Sequence, residues 1–300
     1  MIYTVTFNPA IDYVMYLSEM NIGQVNRTAK EKIMFGGKGI NVSTVLGNLG
    51  VDNIALGFVA GFTGEAIEKG VSEFGVKTDF IKLKEGNSRI NVKIKSGKET
   101  EINGSGPDIN KEALDKLFIK LDKLEQGDYL VLAGSIPKSM PSDIYEKIME
   151  RLKDKGILFV VDATKDLLLN VLKYNPFLIK PNNIELGEMF GVQLENDDEI
   201  EYYAKKLQKM GAVNVLVSMA GDGSMLVDSK GEVIKMGVAK GEVVNSVGAG
   251  DSMVAGFIAG YSQTEDYHYA LRLGTASGGA TAFSEGLATK QDIFELINKF

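Results

Sequence analysis

Residues 245–252 read Asn245-Ser246-Val247-Gly248-Ala249-Gly250-Asp251-Ser252, and the apolar stretch Met253–Tyr261 follows them directly. Small residues ahead of a helical pattern expose consecutive backbone amides at the helix entrance. Those amides, with the helix dipole, form a hole for an anion such as a phosphoryl group. Asp251 sits at the mouth of that hole. A carboxylate there either caps the helix or takes a proton from a substrate hydroxyl. Phosphoryl transfer asks for little more than positioning, charge stabilisation and a carboxylate near the nucleophile.

A second cluster, Gly36-Gly37-Lys38-Gly39, precedes the helical pattern Asn41–Leu49. It has neither the G-x-x-x-x-G-K-[ST] spacing of a P-loop nor G-x-G-x-x-G, and alone it reads as turn chemistry. Around these clusters, short apolar runs alternate with amphipathic stretches. The runs Ile2–Phe7, Ile54–Val59, Tyr129–Leu132, Ile157–Val161, Phe177–Ile179 and Val213–Val217 have the length and turn-bounded ends of buried strands. Between and after them, Gly64–Phe74, Lys111–Leu124, Ser142–Lys153, Ile200–Met210, Tyr267–Phe283 and Lys290–Ile297 have helical spacing. The alternation predicts an α/β fold, a mostly parallel central sheet flanked by helices. Two pairs of segments interrupt it: Tyr13–Leu17 with Ala29–Met34, and Ser88–Lys95 with Glu99–Asn103, the latter joined at Ser96-Gly97-Lys98. Arg89, Asn91, Lys93 and Lys95 alternate with Ile90, Val92 and Ile94, as in a half-buried strand. These segments predict a small antiparallel β lid (13–34 and 88–103) emerging from an α/β core (1–12, 35–87 and 104–300). The lid's apolar face needs a cover, for which a second copy of the lid is a candidate.

Composition removes several alternatives. The 300 residues include 34 Gly, no Cys and one His. Disulfide frameworks, zinc fingers, iron–sulfur clusters and thiol nucleophiles are excluded, and one His cannot build a poly-His metal site. His268 lies in a helical stretch and reads as a surface or packing residue. The formal net charge of -7 argues against non-specific nucleic-acid binding. No apolar run approaches the roughly 18 residues of a membrane span. The opening residues lack the pattern of a signal peptide, so a cytoplasmic chain is expected. With Cys and His nearly missing, proton transfer falls to a carboxylate.

The two glycine clusters in this order, together with Thr6-Phe7-Asn8-Pro9-Ala10-Ile11-Asp12, Pro181-Asn182-Asn183-Ile184-Glu185 and Ser218-Met219-Ala220-Gly221-Asp222-Gly223, resemble the ribokinase, or PfkB, family of carbohydrate kinases over the whole chain. Tyr3–Asp12, Arg89–Lys93, Glu99–Gly106, Leu132–Pro137 and Ala282–Gly286 narrow the resemblance to members acting on a ketose phosphate. It implies a ribokinase-like fold and ATP-dependent phosphorylation of D-fructose 1-phosphate at its C6 hydroxyl. Tagatose 6-phosphate and fructose 6-phosphate are the alternative acceptors. A non-catalytic sensor of sugar phosphate or nucleotide is the alternative of a different class.

The resemblance implies roles for particular residues. Asp251 becomes the base, and Gly248, Ala249 and Gly250 the anion hole. Asp12, Gly36, Gly37 and Asn41 hold the sugar. Only four Arg occur in the chain, and two of them, Arg27 and Arg89, fall in the lid segments. Arg offers a planar fork for phosphate, so these two, with Lys38 and Ser135, are the candidates for the sugar's phosphate. Lys180, Asn182 and Glu185 are assigned to ATP phosphates and Mg²⁺, with Glu185 acting on the metal through water; their spacing also fits a capping box. Ser218, Gly221 and Gly223 shape the nucleotide groove. Asn245, Val247, Ser284 and Gly286 are the neighbourhood of a monovalent cation, K⁺. A homodimer through the lid is expected.

Overall fold

The computed structural model describes residues 1–163 and 165–300. Strand β1 (Ile2–Thr6) leads into the antiparallel pair β2 (Ala10–Tyr16) and β3 (Lys30–Gly36), and the chain returns through helix α1 (Lys38–Asn48). Next come β4 (Asn53–Ala60), α2 (Gly61–Glu73) and the short strands β5 (Lys77–Thr78) and β6 (Ile81–Leu83). A second antiparallel pair follows, β7 (Arg89–Ser96) and β8 (Lys98–Asn103). Helix α3 (Lys111–Leu121) then opens a regular alternation: β9 (Tyr129–Ala133), α4 (Ile144–Leu152), β10 (Leu158–Asp162), α5 (Lys165–Val171), β11 (Leu178–Ile179), α6 (Asn183–Phe190), α7 (Asp197–Lys209) and β12 (Asn214–Ser218). The last elements are β13 (Ser224–Val227), β14 (Val233–Met236), α8 (Ala249–Thr264), α9 (Tyr267–Ala282) and α10 (Lys290–Ile297).

The main sheet runs β14-β13-β12-β11-β10-β9-β1-β4-β5, with β6 also on β4. Pairing is parallel from β12 to β5, and β13 and β14 add an antiparallel edge. Both faces are covered, which is why its strands are continuously apolar. In β9, Leu130 and Leu132 pack with Leu117 of α3 and Ile148 of α4 on one face. Tyr129 and Val131 pack with Val45 of α1 and Phe257 of α8 on the other.

The second sheet, order β3-β2-β7-β8, is built from the segments expected to form the small separate sheet, with β2 and β3 running a few residues past them at the Ala10 and Gly36 ends. Each outer pair is antiparallel, while the inner strands β2 and β7 run parallel, Asp12 beside Asn91. Asn91 and Lys93 on its polar face are each 7% exposed; on its apolar face Ile11 and Ile94 are buried, whereas Ile33, Ile90 and Ile102 are 55%, 42% and 58% exposed. The alternation in Arg89–Lys95 therefore marks a strand buried in part on both faces.

Topology positions the cleft. From β1 the sheet extends one way to β4 and the other way to β9, so a switch point lies between β1 and β9, and ligand crevices form beyond the carboxyl ends of strands at such points. Asn8 follows β1, Ser135 follows β9, Asp162 ends β10, Lys180 follows β11 and Ser218 ends β12. Among the described residues, no helix is long and apolar enough to cross a membrane.

Candidate active site

Helix α1 begins at Lys38, three residues before the expected Asn41, so Lys38 and Gly39 belong to its first turn. Two of its glycines have a packing reason. A Cβ on Gly37, whose φ is +127°, would lie 2.6 Å from Thr6 Cγ2, and one on Gly39 would lie 2.9 Å from the Val5 carbonyl oxygen. The helix N-terminus is thereby pressed onto the end of β1, delivering Lys38 and Asn41 to the cleft floor.

Helix α8 starts behind Gly248, which caps it at φ +83°. The Ala249 amide turns back to donate to the Ser246 carbonyl at 3.2 Å. Gly250 and Asp251 are in the first turn, where amides lack intrahelical partners, and among the described residues neither amide has another acceptor. The amides open to an anion at this helix entrance are thus those of Gly250 and Asp251, not that of Ala249. The Asp251 carboxylate is 6% exposed and accepts a hydrogen bond from Asn41 Nδ2 at 2.7 Å. Burial first, then the charge of Asp162, pushes its pKa up to about 6, against the opposing pull of Lys38, Asn41 and Lys180. A carboxylate raised this far is a better proton acceptor at neutral pH while remaining ionised there.

The cleft around Asp251 has a volume of about 420 Å³ and includes Asp12, Asn41, Asn182, Glu185, Ser218 and Gly250 in its walls. A neighbouring hollow of about 380 Å³ lies at the switch point, bordered by Asn8, Gly134 and Ser135. The two share Gly37, Lys38, Arg89 and Asp162. Arg89 Nε donates to the Asn8 carbonyl at 3.1 Å, which fixes the guanidinium and leaves its other donors for a ligand. Burial pulls the Arg89 pKa down and Asp12 opposes it; the group stays cationic at neutral pH. Asp12 is oriented by Asn91 Nδ2, which donates to it at 2.8 Å.

Asn182 and Glu185 form a complete capping box on α6: the Glu185 amide donates to Asn182 Oδ1 at 2.7 Å, and the Asn182 amide donates to Glu185 Oε2 at 2.9 Å. The capping role and a place in the cleft wall coexist. Among the described residues, Glu185 Oε1 has no hydrogen-bond partner, and no cluster of three acidic or His side chains could hold a metal directly. Glu185 Oε1 is thus open to a metal-bound water, which is what Mg²⁺, keeping most of its waters, would require of it.

Ser218 bridges to Asn182, joining the ends of β11 and β12. Gly221 and Gly223 lie on the turn beyond it; a Cβ on Gly223, at φ +96°, would collide with the Met236 carbonyl oxygen. Asn245, Val247 and Gly286 meet in one hollow. Ser284 Oγ donates back to the Ala280 carbonyl at 2.8 Å, and Lys32 Nζ donates to the Glu285 carbonyl at 3.0 Å.

Arg27 is not brought into this cleft. It is exposed on the segment between β2 and β3, beyond the Tyr16–Lys30 end of a 7-residue strand pair. The cleft lies at the other end, by Ala10, Gly36 and Arg89, about 20 Å away at ~3.3 Å per residue. Conversely, the structure adds Asp162, Asn91 and Asn8 to the candidates. Asp162 is 1% exposed and lies between Lys38 Nζ at 3.3 Å and Lys180 Nζ at 3.4 Å. Burial pushes its carboxyl up, but Lys180 and Lys38 outweigh burial and hold it below the ordinary carboxylate value. The signal available in the sequence was a charged residue closing an apolar strand run.

A model of the pfkB family of carbohydrate kinases matches residues 5–293. The chain is 48% identical over 297 residues to the 1-phosphofructokinase of Bacillus subtilis strain 168, covering 99% of this chain and 97% of that protein. It is 38% identical over 288 residues to a D-tagatose-1-phosphate kinase of Bacillus licheniformis, covering 96% and 94%. In structure it resembles Escherichia coli phosphofructokinase-2 in complex with substrates and products, with a TM-score of 0.93 and 25% identity over 99% of this chain and 98% of that one.

Proposed function

The chain belongs to the pfkB family of carbohydrate kinases, and from that premise we propose that it transfers the γ-phosphoryl of ATP to the C6 hydroxyl of D-fructose 1-phosphate, forming fructose 1,6-bisphosphate. The observation that carries this reading is the pair of adjoining hollows, one holding Asp251 and open helix amides, the other faced by Arg89, Lys38 and Ser135. In this reading a sugar with phosphate at one end and a reactive hydroxyl at the other lies across them. The name of the Bacillus subtilis relative, 1-phosphofructokinase, points to the same acceptor. D-Tagatose 1-phosphate is the second acceptor to weigh, on the name of the Bacillus licheniformis relative.

In this reading Asp12, with Gly36, Gly37 and Asn41, holds the sugar, and the sugar phosphate is bound by Arg89, Lys38 and Ser135. Asp251 takes the C6 hydroxyl proton as its oxygen attacks the γ-phosphorus in line with the departing ADP oxygen. The open amides of Gly250 and Asp251, in the turn that Gly248 and Ala249 begin, and the Lys180 ammonium stabilise charge on the transferring group. Glu185, with Asn182, would hold Mg²⁺ through water, and the ion would supply positive charge against the ATP phosphates. Ser218, Gly221 and Gly223 shape the nucleotide groove. Asn245, Val247, Ser284 and Gly286 are the place for a K⁺ ion. Incubation with ATP, Mg²⁺ and fructose 1-phosphate should release ADP in step with a bisphosphate; ADP release that ignores the sugar would remove the reading.

We also propose that the lid (13–34 and 88–103) is a unit distinct from the core (1–12, 35–87 and 104–300), that two copies pair through the lid, and that the protein works in the cytoplasm. The outward lid face carries exposed Ile33, Ile90 and Ile102, and the adjacent segment exposes Ile22 by 92% and Val25 by 83%. Apolar side chains clustered in this way mark an interaction surface. The pairing also gives Arg27 a place, since its segment would move with the lid toward the other copy's cleft. The protein should elute at twice the mass of one chain, and Ile33→Glu/Ile102→Glu should elute as a monomer. Unchanged elution of that variant would contradict lid pairing.

A further inference from the structure

Asp162 is a buried carboxylate that no step above uses. It ends β10 on the wall shared by the two hollows, with a side chain only 2% exposed. Its two oxygens are divided: Oδ2 faces Lys38 Nζ at 3.3 Å and Oδ1 faces Lys180 Nζ at 3.4 Å. Lys38 borders both hollows, while Lys180 borders only the one with Asp251. Lys180 Nζ also lies 3.3 Å from where a Cβ on Gly250 would project, beside the open amides. Both contacts are longer than the 2.7–2.9 Å of a tight charge-assisted hydrogen bond. Each ammonium is placed by the carboxylate without being consumed by it.

Stability gives no reason for this triad, because a buried ionic cluster is often no better than an apolar one of equal volume. Catalysis does. Two bare ammonium groups would bind resting phosphates of both substrates, and binding that is equal in ground and transition states lowers KM without raising kcat. We propose that Asp162 is a positioning residue that holds Lys38 and Lys180 on either side of the transfer path and offsets part of their charge. Resting phosphates then meet a weak net charge; the phosphoryl group in transit meets Lys180, and Lys38, on the wall shared by both hollows, faces it as well as the sugar phosphate. The proposal rests on the phosphosugar kinase reading above.

Steady-state kinetics of Asp162→Asn test it, since the amide keeps the shape and removes the charge. The expected result is a kcat lowered about 100-fold, with KM for ATP and for fructose 1-phosphate unchanged or lowered and the Mg²⁺ requirement unchanged. A merely structural residue would raise both KM values as the site loosened, and that result overturns the proposal. So does a shift of the Mg²⁺ requirement to higher concentration, which would put the carboxylate on the metal. Asp162→Asn/Lys180→Met restores the local charge balance and guards against failure of the single variant to fold. Its kcat should be close to that of Lys180→Met alone; losses that simply multiply overturn the shared role. A wild-type protein that ignores fructose 1-phosphate defeats the kinase reading, whereas an active wild type with raised KM in Asp162→Asn defeats this proposal alone.

Discussion

Asp251→Asn is expected to lower kcat by about a thousand-fold, within the range for loss of a general base, and to raise the melting temperature at pH 7–8. The first effect follows from the carboxylate's place in the cleft beside the open amides, with Asn41 as its orienting donor. The second follows from its pKa, raised from 3.8 to about 6 by burial and by Asp162. The folded protein holds this carboxylate ionised at neutral pH at a cost of about 3 kcal/mol. That cost is present above the folded pKa and fades as the pH falls from about 6 toward 4, because the folded state takes up the proton before the unfolded one. The stability gained by the variant should therefore be full at pH 8 and small at pH 4.5. The same pKa places the acid limb of wild-type kcat/KM near pH 6. Binding of both substrates should survive, because Asn keeps the oxygen that accepts from Asn41. Near-normal turnover in this variant would remove Asp251 as the base.

Arg89→Ala is expected to raise KM for fructose 1-phosphate by about 100-fold, with KM for ATP changed less than about threefold. Charge-assisted hydrogen bonds to phosphate contribute about 1.5–3 kcal/mol each, and Arg89 is already oriented by the Asn8 carbonyl, so little ordering is needed on binding. The variant's preference for fructose 1-phosphate over unphosphorylated fructose should collapse by the same factor. A general weakening of the site would instead affect both sugars alike, and that outcome would contradict the phosphate clamp. Arg27→Ala should act through the second copy, in proportion to dimer formation.

Much of the α/β architecture was legible because its strands and helices announce themselves by period and by turn residues. Lys290–Ile297 has the same bounds in sequence and structure, helped by the Thr289–Asp292 capping box. Helix α1 was read three residues short because Gly39 is a poor helix former, and only the close approach to Thr6 and Val5 explains its presence inside a helix. The lid strands were legible by alternation, but which face looks inward depends on what lies beneath. Asn91 is buried because it roofs the cleft that holds Asp251, and Lys93 because it lies over a second hollow and pairs with Glu101. Asp251 stood out because its neighbours are glycines. Asp162 did not, because its partners Lys38 and Lys180 lie 124 and 18 residues away in sequence and meet only when β10 and β11 pair in the sheet. Arg27 was assigned by residue type and by its place in the lid segments, and the length of the strands there places it at the far end from its own cleft.

The most direct measurement is initial-rate ADP release with ATP and Mg²⁺ across four acceptors: fructose 1-phosphate, tagatose 1-phosphate, fructose 6-phosphate and unphosphorylated fructose. Fructose 1-phosphate is expected to give the highest kcat/KM, at least tenfold above the next acceptor, with fructose 1,6-bisphosphate as the product. Highest kcat/KM with fructose 6-phosphate or tagatose 1-phosphate would contradict fructose 1-phosphate as the acceptor; highest kcat/KM with fructose itself, or no acceptor-dependent ADP release at all, would contradict a site built to hold phosphate at one end of the sugar and phosphorylate the other.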